Sequence, residues 1–581
     1  MKYNNIHKIR RKFLYITGSF LVIAMILSSC DEEEFLKTEP VDFYSPTNSF
    51  VTASDYDAAL LDLYSRVRDN FNQGDSEDEF PAAAIQSTDM MYNHKNIGQF
   101  KPMSETLLPT NSIVYDVLWD PAYRIIFGAN AIIERAASGD NEMTAEEVSS
   151  VAAEAKFFRG YMYKMLANLY GGVPLIIEEV SEPKRDFVRA SRAEVYEQAA
   201  SDLEDAAAGL GNIDDVAGER VSNLAAYHLL SEVYISLGRW QDAISAASTV
   251  IDHPSTALMT ERFGSLAGET FLIPEYPTNV YWDLFRQDNQ NRSSGNTEAI
   301  WVLQYKWALP GGGDNGGGGP LLERIFSPRA WQAKVENNDG STSPLVPKPN
   351  AYTAGRSSGF VAPSWWFKQT LWEQSGFDQD MRNADCNIVR DFLVRNPSSD
   401  HNGLFIFADN LPIAMKSLND TTRNMFPWFA KVSTPGQQPA ELFVENPSVE
   451  GEVSYSHHAF RDVYAIRLAE TYLLRAEAHL GAGSTTNAAA DINVVRGRAE
   501  APPVDPAQVD IDYILDERAR ELYIEEFRLL TLCRLGKLVD RTRRLNPLIG
   551  DGYADHNDLY PIPYSEIEKN IEAVLEQNPG Y

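Results

Sequence analysis

The stretch 221–254 reads VSNLAAYHLLSEVYISLGRWQDAISAASTVIDHP and carries the clearest structural pattern in the chain. Its residues fall at the spacings of one tetratricopeptide-like helical hairpin, namely Tyr227, Leu230, Tyr234, Gly238, Trp240 and Ala243. In such a repeat, small residues let two helices approach closely and aromatic rings fill the space between them. Pro254 stands near the position of the proline that closes the repeat. The segment therefore predicts two packed helices.

Further helical patterns lie on both sides of this hairpin. A second hairpin is predicted over residues 463–498, with a break at Gly481-Ala482-Gly483. Residues 147–170 are apolar at helical spacing and stop at Gly171-Gly172, as a helix end requires. Residues 510–535 predict one more long helix, which ends at Gly536.

The middle of the chain has a different composition. Residues 255–460 are rich in Gly, Pro, Asn, Ser and Trp, and they contain few helical runs. Residues 298–305 predict a short strand. The glycine-rich stretch 310–320 lacks the Lys-Ser/Thr pair of a phosphate-binding loop, so a flexible surface loop is expected there.

These patterns together predict a mainly α protein: a tetratricopeptide-like helical-hairpin scaffold with a large irregular, loop-rich insert that contains short strands. We expect an N-terminal helical region over 41–254, the insert over 255–460 and a C-terminal helical region over 461–581. Loops on a rigid scaffold commonly carry binding sites, so the insert is the expected ligand-binding region.

The first forty residues have the features of an exported lipoprotein. Residues 1–29 combine a basic start with an apolar run, and that run is shorter than the ~20 residues that span a bilayer. Leu27-Ser28-Ser29-Cys30 resembles the lipobox of lipoprotein signal peptidase, which predicts lipidation of Cys30. Residues 30–40 would form an acylated acidic tether that begins with Asp31-Glu32-Glu33-Glu34. An ordinary cleaved signal with an incidental cysteine is the alternative.

Charge and cysteine content exclude several classes of function. The net charge of −31 argues against nucleic-acid binding, which needs clustered basic residues. It also makes anionic polysaccharides a poor first choice of ligand. Cys386 and Cys533 could form a disulfide, but they have no Cys/His spacing that predicts a metal site, and no cofactor motif is present.

Several blocks of the sequence resemble one known family. AAEAKFFRGY at 152–161 with LYGGVPL at 169–175, and YPIP at 560–563 with QNPGY at 577–581, resemble the signatures of the SusD/RagB family of nutrient-uptake lipoproteins. Further resemblances lie around Arg467, Glu517 and Arg528. Thr531 and Ile571 depart from the usual pattern, at positions expected to affect packing rather than ligand contact.

The resemblance carries implications for function that composition alone does not. It implies a lipid-anchored protein on the cell outer membrane that captures oligosaccharide or polysaccharide and delivers it to a SusC-like TonB-dependent barrel transporter. It implies no catalytic residues. Members associated with peptide uptake leave peptides or glycopeptides as an alternative ligand class.

Aromatic residues of the insert suggest where a ligand would bind. Sugars present apolar faces ringed by hydroxyl groups, so their sites combine flat aromatic rings with polar side chains. We expect neutral oligosaccharide, without a metal, to contact Trp307, Trp331, Tyr352 and Trp366. By analogy with the family, an apparently unstructured early loop at Tyr92 and His94 would form the opposite wall.

Other tryptophans have patterns typical of packing. Trp301 alternates within an apolar strand, Trp119 lies in a predicted helix and Trp240 belongs to the first hairpin. Trp365 and Trp366 follow a helix-start signal at Pro363-Ser364, so at most one of them can point fully inward.

Two other classes of function stay open at this stage. A glycoside hydrolase needs a pair of placed carboxylates, and with 82 acidic residues a pair can always be nominated. No nucleophile elbow or His-Glu-x-x-His motif supports catalysis. A repeat scaffold that binds peptides would instead place its groove on the helices.

Overall fold

A computed structural model describes most of the chain after residue 49. The described residues are 50–73, 80–94, 107–264, 267–268, 272, 276–309, 312–313, 319–407, 423–433, 436–445, 447–453 and 460–581. The predicted signal peptide, Cys30 and the acidic tether lie outside them, as does most of the glycine-rich stretch 310–320.

Helices dominate both ends of the described chain, as predicted. The helices of six or more residues are α1 Ala53–Arg68, α2 Asp120–Ala137, α3 Ala145–Tyr170, α4 Arg192–Gly209, α5 Asn223–Ser236, α6 Trp240–Ile251, α7 Leu468–Gly481, α8 Thr485–Arg498, α9 Ile511–Glu521, α10 Arg528–Leu535, α11 Leu538–Leu545 and α12 Tyr564–Lys569. Shorter α-helical pieces are Phe80–Ala83, Ser112–Val114, Val280–Asp283, Leu322–Phe326, Leu371–Glu373 and Pro547–Gly550.

The strands are short and pair in twos. They are β1 Met91–Asn93, β2 Ala299–Leu303, β3 Lys334–Glu336, β4 Thr342–Pro344, β5 Val361–Pro363, β6 Ile388–Val389, β7 Asp391–Leu393, β8 Phe405–Phe407, β9 Trp428–Phe429 and β10 Val463–Arg467. Within the described residues, five strand pairings are present and all are antiparallel: β1 with β5, β2 with β10, β3 with β4, β6 with β9 and β7 with β8.

Capping explains where the long helices begin and end. The Thr144 hydroxyl accepts a hydrogen bond from the Glu147 amide at 3.3 Å, and the Glu147 carboxylate accepts one from the Thr144 amide, which starts α3. Gly171 ends α3 with a φ of +76°, a conformation that glycine adopts without strain.

Helices α1 to α8 pack in chain order as a stack of hairpins. Each of these helices contacts the next, including α6 and α7, which the insert separates in sequence. Gly481 makes this junction possible, since a Cβ atom there would lie 2.5 Å from the ring of Trp240. The two predicted hairpins are thus neighbours, and the mainly α, tetratricopeptide-like fold is confirmed.

Two of the predicted helical segments have bounds in the structure that differ from the prediction. The helix predicted over 510–535 is broken between α9 and α10, where Ile524 has a φ of +61°. The break directs Glu525 onto the buried Arg467, with Nε–Oε2 at 2.9 Å, while Glu521 contacts the same guanidinium at 2.6 Å. Both carboxylates offset the cost of burying this cation. The second hairpin starts only at Leu468, because residues 463–467 pair as strand β10 with β2.

The main hydrophobic core takes residues from both helical ends and from the insert. Trp301 and Trp119 are buried in it, as expected. A second core lies within the insert, and a third lies around α7 and α8. Cys386 and Cys533 are both buried and free, so the 386–533 disulfide is not formed. In the part of the chain that the structure describes, no helix is long and apolar enough to cross a bilayer.

Candidate ligand-binding site

The candidate site is built along residues 350–361 of the insert. This segment contains Tyr352 and contacts Trp331 and His94, and Tyr92 pairs with Ala362 directly after it. Its backbone is hydrogen-bonded to the short helical piece Leu322–Phe326, since the amides of Ser358 and Phe360 donate to the carbonyls of Arg324 and Ile325 at 2.9 and 3.0 Å. The arrangement therefore depends on main-chain geometry.

Trp331 is the fixed aromatic ring of this site. Its indole Nε1 donates a 2.8 Å hydrogen bond to the carbonyl oxygen of Ser357, and the side chain stays partly exposed. The Arg356 guanidinium lies 5.3 Å from the ring centroid. Satisfying the indole N–H orients the ring, so the side chain is held in place before any ligand arrives.

Two further arginines surround Phe360, four residues after Arg356. The guanidinium carbons of Arg324 and Arg423 lie 5.5 and 4.9 Å from its ring centroid. The Ser358 carbonyl accepts from Arg423 Nε at 2.7 Å, and the Ser358 hydroxyl from Arg324 Nε at 3.4 Å. Gly359 permits this closeness, because a Cβ there would lie 2.2 Å from the Arg423 carbonyl oxygen.

Tyr92 and His94 lie on the other side of this segment. Sequence analysis placed them in an unstructured loop, but Tyr92 is within strand β1 and the His94 amide donates to the Phe360 carbonyl at 2.7 Å. Both side chains are buried, with ring centroids 5.4 Å apart. Tyr92 and His94 are therefore buried residues that pack against the site, and they do not form an exposed wall of it. The rest of that predicted loop, from Lys95, lies outside the described residues.

Asp89 anchors this supporting strand. Its carboxylate accepts hydrogen bonds from Arg528 Nε at 3.0 Å and Arg541 Nε at 2.8 Å. Burial alone would raise the pKa of Asp89, but the two guanidinium groups outweigh it and lower the pKa to about 2. These two ion pairs link Asp89, just before β1, to helices α10 and α11.

Tyr352 stands at the opposite end of the segment. The Asn350 side chain accepts from the Tyr352 amide at 3.1 Å, and the Arg395 guanidinium lies 4.4 Å from the Tyr352 ring centroid. Asn350 and Arg395 also line a groove of about 500 Å³ with Asn402. Tyr352 is partly exposed and lies next to this groove through its contact with Arg395.

Trp307 and Trp366 have different surroundings from these residues. Trp307 is partly exposed and packs edge-on against Phe460, with centroids 4.7 Å apart. Trp366 is only 6% exposed and lies in the main core with Arg541 over its ring. Its neighbour Trp365 is 58% exposed. One of the pair points inward, as expected, but the inward one is the residue that was predicted to meet ligand.

The sequence pattern alone did not identify the arginines around Trp331 and Phe360. Arg324, Arg329 and Arg356 lie within 25 residues on either side of Trp331, but Arg423 comes from a distant segment. A local signal, Arg-x-x-x-x-Arg-x-Trp at 324–331, was present. Within the described ranges, no group of three or more His, Cys, Asp and Glu side chains could hold a metal ion.

Comparison with known families agrees with this architecture. A model described as the SusD family matches residues 323–581, and a model described as "Starch-binding associating with outer membrane" matches residues 41–235. The chain belongs to the SusD/RagB family. Among curated relatives, the SusD-like protein P25 of Formosa agariphila is 24% identical over 594 aligned positions, which cover 97% of this chain and 99% of that protein.

Solved structures of SusD-like proteins share the fold. A laminarin-binding SusD-like protein superposes with a TM-score of 0.62 at 22% identity, over 92% of this chain and all of that one. Surface glycan-binding protein A from Bacteroides thetaiotaomicron, in complex with laminarihexaose, gives a TM-score of 0.60 at 18% identity over 91% of this chain and all of that one. At these identities the likeness establishes the SusD-type fold.

Proposed function

We propose that this protein binds oligosaccharides or polysaccharides at the surface formed by Trp331, Arg356 and Ser358, as a nutrient-capture protein of the outer membrane. The observation that carries the proposal is the partly exposed Trp331 indole, fixed through Ser357 among guanidinium and hydroxyl groups. A sugar ring that stacks on the indole removes apolar surface from water. Nearby polar groups replace the hydrogen bonds that the sugar hydroxyls lose to water.

The relatives support carbohydrate as the ligand class. Solved neighbours are described as laminarin-binding and as a glycan-binding protein with laminarihexaose bound. These neighbours are described as binding proteins, which favours capture over catalysis here. A longer chain would continue toward Tyr352 and the groove at Arg395 and Asn402. Trp307, which packs beside Phe460, is a second surface where such a chain would bind.

Location and partner form the second part of the proposal. One matching family model is described as associating with the outer membrane. The lipobox-like Leu27-Ser28-Ser29-Cys30 supports anchoring through acyl chains on Cys30, with the binding domain outside the cell. We further propose that the protein passes its ligand to a SusC-like TonB-dependent barrel.

Calorimetry against a panel of oligosaccharides tests the ligand class. We expect laminarihexaose, maltohexaose or other glycans on the panel to bind, and longer chains to bind more tightly than short ones because more rings meet more side chains. Peptides and glycopeptides belong on the same panel. Peptide binding without glycan binding would favour the peptide-uptake alternative.

Co-purification from detergent-solubilised outer membranes tests the partner. We expect an affinity-tagged chain to retain a TonB-dependent barrel, with the helical scaffold supplying most of the contact. If residues 30–60 alone retained the barrel equally well, the scaffold would not be the contact surface.

A further inference from the structure

Two buried arginines, Arg286 and Arg461, differ from every other buried arginine among the described residues. Each of the others has a carboxylate oxygen within 2.9 Å of its guanidinium group: Arg159, Arg382, Arg467, Arg496, Arg498, Arg518, Arg520, Arg528, Arg534 and Arg541. No carboxylate oxygen of the described residues lies within 4.0 Å of the Arg286 or Arg461 guanidinium. Both residues are deeply buried, since only 1% of Arg286 and 5% of Arg461 is exposed.

Arg286 is held by main-chain oxygens and by an aromatic ring. Its Nε atom donates to the Trp282 carbonyl at 3.1 Å, and its Nη2 atom donates to the Ala430 carbonyl at 2.6 Å. The guanidinium carbon lies 4.4 Å from the Trp282 ring centroid. The third nitrogen, Nη1, is buried and has no hydrogen-bond partner. One charged donor of Arg286 is therefore unsatisfied inside the protein.

Arg461 has the same kind of partners and lies close to Arg286. Its Nη1 atom donates to the carbonyls of Phe285 and Lys431 at 2.5 and 2.6 Å. These two acceptors are the chain neighbours of Arg286 and of its own acceptor Ala430. The two guanidinium groups therefore meet at one crossing of the chain. The Nε atom of Arg461 is also buried without a hydrogen-bond partner.

The acidic groups around these arginines do not neutralise them. Burial, and then the charge of Arg461, lowers the pKa of Arg286 to about 9, and burial lowers the pKa of Arg461 to about 10. Asp283 acts in the opposite direction on Arg286, but its carboxylate is paired with Arg262 at 2.9 Å. Glu323 acts on both arginines from beyond 4.0 Å. At neutral pH the crossing thus carries two positive charges without a paired negative one.

Charge and hydrogen bonding both favour an anion at this crossing. Like charges repel strongly where water is excluded. Buried ions in proteins are normally paired, because an unpaired ion loses its hydration without compensation. An anion that contacts both guanidinium groups would accept hydrogen bonds from Arg286 Nη1 and Arg461 Nε and would offset both charges.

We infer that Arg286 and Arg461 form an internal binding site for a small monovalent anion, with chloride as the expected ion. The depth of burial favours a single-atom ion over a carboxylated or sulfated sugar. Arg461 lies just before strand β10, which leads directly into helix α7. The ion would therefore join the insert to the scaffold, a structural role that goes beyond the proposed glycan binding.

Diffraction from crystals of the whole chain grown or soaked in sodium bromide tests the site directly. Bromide replaces chloride and scatters anomalously, so it is distinguished from a water molecule. We expect an anomalous peak within hydrogen-bonding distance of Arg286 Nη1 and Arg461 Nε. This measurement uses the wild-type protein, so it does not depend on whether a variant folds.

Thermal unfolding tests the same site in solution. When chloride replaces gluconate at constant ionic strength, the wild-type midpoint should rise by about 2 °C or more up to about 0.2 M chloride, because an ion that binds only the folded state stabilises it. Gluconate is too large for a buried site. Arg461→Gln should lose this rise. Arg124→Gln, which removes the same charge from an exposed position on α2, is the matched control and should keep it.

Three results would each overturn the inference. They are the absence of a bromide peak beside these two groups, equal midpoints of the wild type in chloride and gluconate, and a chloride-dependent rise that persists in Arg461→Gln. Calorimetry with laminarihexaose stays a separate test. Glycan binding that is retained in any of these cases would leave the proposed function standing.

Discussion

The indole N–H of Trp331 donates a 2.8 Å hydrogen bond to the carbonyl oxygen of Ser357, which fixes the ring beside the Arg356 guanidinium. A fixed ring binds better than a mobile one, because less side-chain freedom is lost when a ligand docks.

Trp331→Ala should weaken glycan binding by about 1–3 kcal/mol, by analogy with the stacking of nucleic-acid bases on aromatic side chains. Calorimetry with whichever glycan binds the wild type measures the change. Tyr564→Ala is the matched control, since Tyr564 is an aromatic residue of helix α12 that is 44% exposed. Equal losses in the two variants would show that Trp331 has no special role.

Replacement by alanine should have a large effect on stability at Trp366 and a small effect at Trp365. Trp366→Ala removes a buried ring from the main core and should lower the free energy of unfolding by about 3–5 kcal/mol. Trp365→Ala, at an exposed position, should change it by less than about 0.5 kcal/mol. Urea denaturation measures both; a larger loss for Trp365→Ala would contradict the assigned orientation.

Gly481→Ala should destabilise the junction of the two hairpins by about 1–3 kcal/mol, because the added Cβ meets the Trp240 ring at 2.5 Å. Gly497→Ala is the control within helix α8. No atom lies within 4 Å of its added Cβ, so it should stabilise by roughly 0.5–1 kcal/mol. Changes of the same sign for both variants, measured by chemical denaturation, would argue against this packing.

The sequence predicted the scaffold better than the site, for physical reasons. Helical spacing and terminal glycines are local properties, so α3, α5 and α6 follow from their own residues. The break between α9 and α10 depends on the partners of Glu525, which come from Arg467 and the insert, and no local pattern contains them. Likewise, the arginines around Trp331 and Phe360 come from three segments, the last almost 70 residues beyond Arg356.

The aromatic signal identified candidates but not their orientation. Trp331 and Trp366 both lie in polar, aromatic-rich stretches, and only tertiary packing separates a partly exposed ring from one in the core. Tyr92 is a similar case, because its pairing partner Ala362 lies far along the chain. Which side chains face solvent depends on such long-range pairings.

Asp89→Asn should lower the free energy of unfolding by about 3–5 kcal/mol at neutral pH, because Arg528 and Arg541 lose a buried carboxylate. The folded-state pKa of about 2 lies below the ordinary value of 3.8. This stabilisation is therefore complete above about pH 4 and is lost as the pH falls through about 2.

Denaturation curves at several pH values measure this dependence. The difference between wild type and Asp89→Asn should narrow as the pH falls from about 4 to about 2. Asp140→Asn, at an exposed position, is the control and should track the wild type. A difference that stays constant across this range would show that the carboxylate charge is not what stabilises the strand.

Cys30→Ala should release the protein from the membrane, because the acyl chains on Cys30 are its proposed attachment. Fractionation of cells that lack the partner barrel measures the distribution without interference from protein contacts. If the variant still partitions fully with outer membranes, the lipoprotein assignment is wrong. A Cys533→Ala variant controls for the loss of a thiol, since Cys533 is buried and should not affect location.

A crystal structure of the protein with a bound oligosaccharide would test the proposed site. We predict a sugar ring within van der Waals distance of the Trp331 indole, with its polar groups contacting Arg356 or Ser358. A ligand bound instead on the hairpin of helices α5 and α6, with no sugar at Trp331, would show that the proposed site is wrong and favour a helical peptide-binding scaffold.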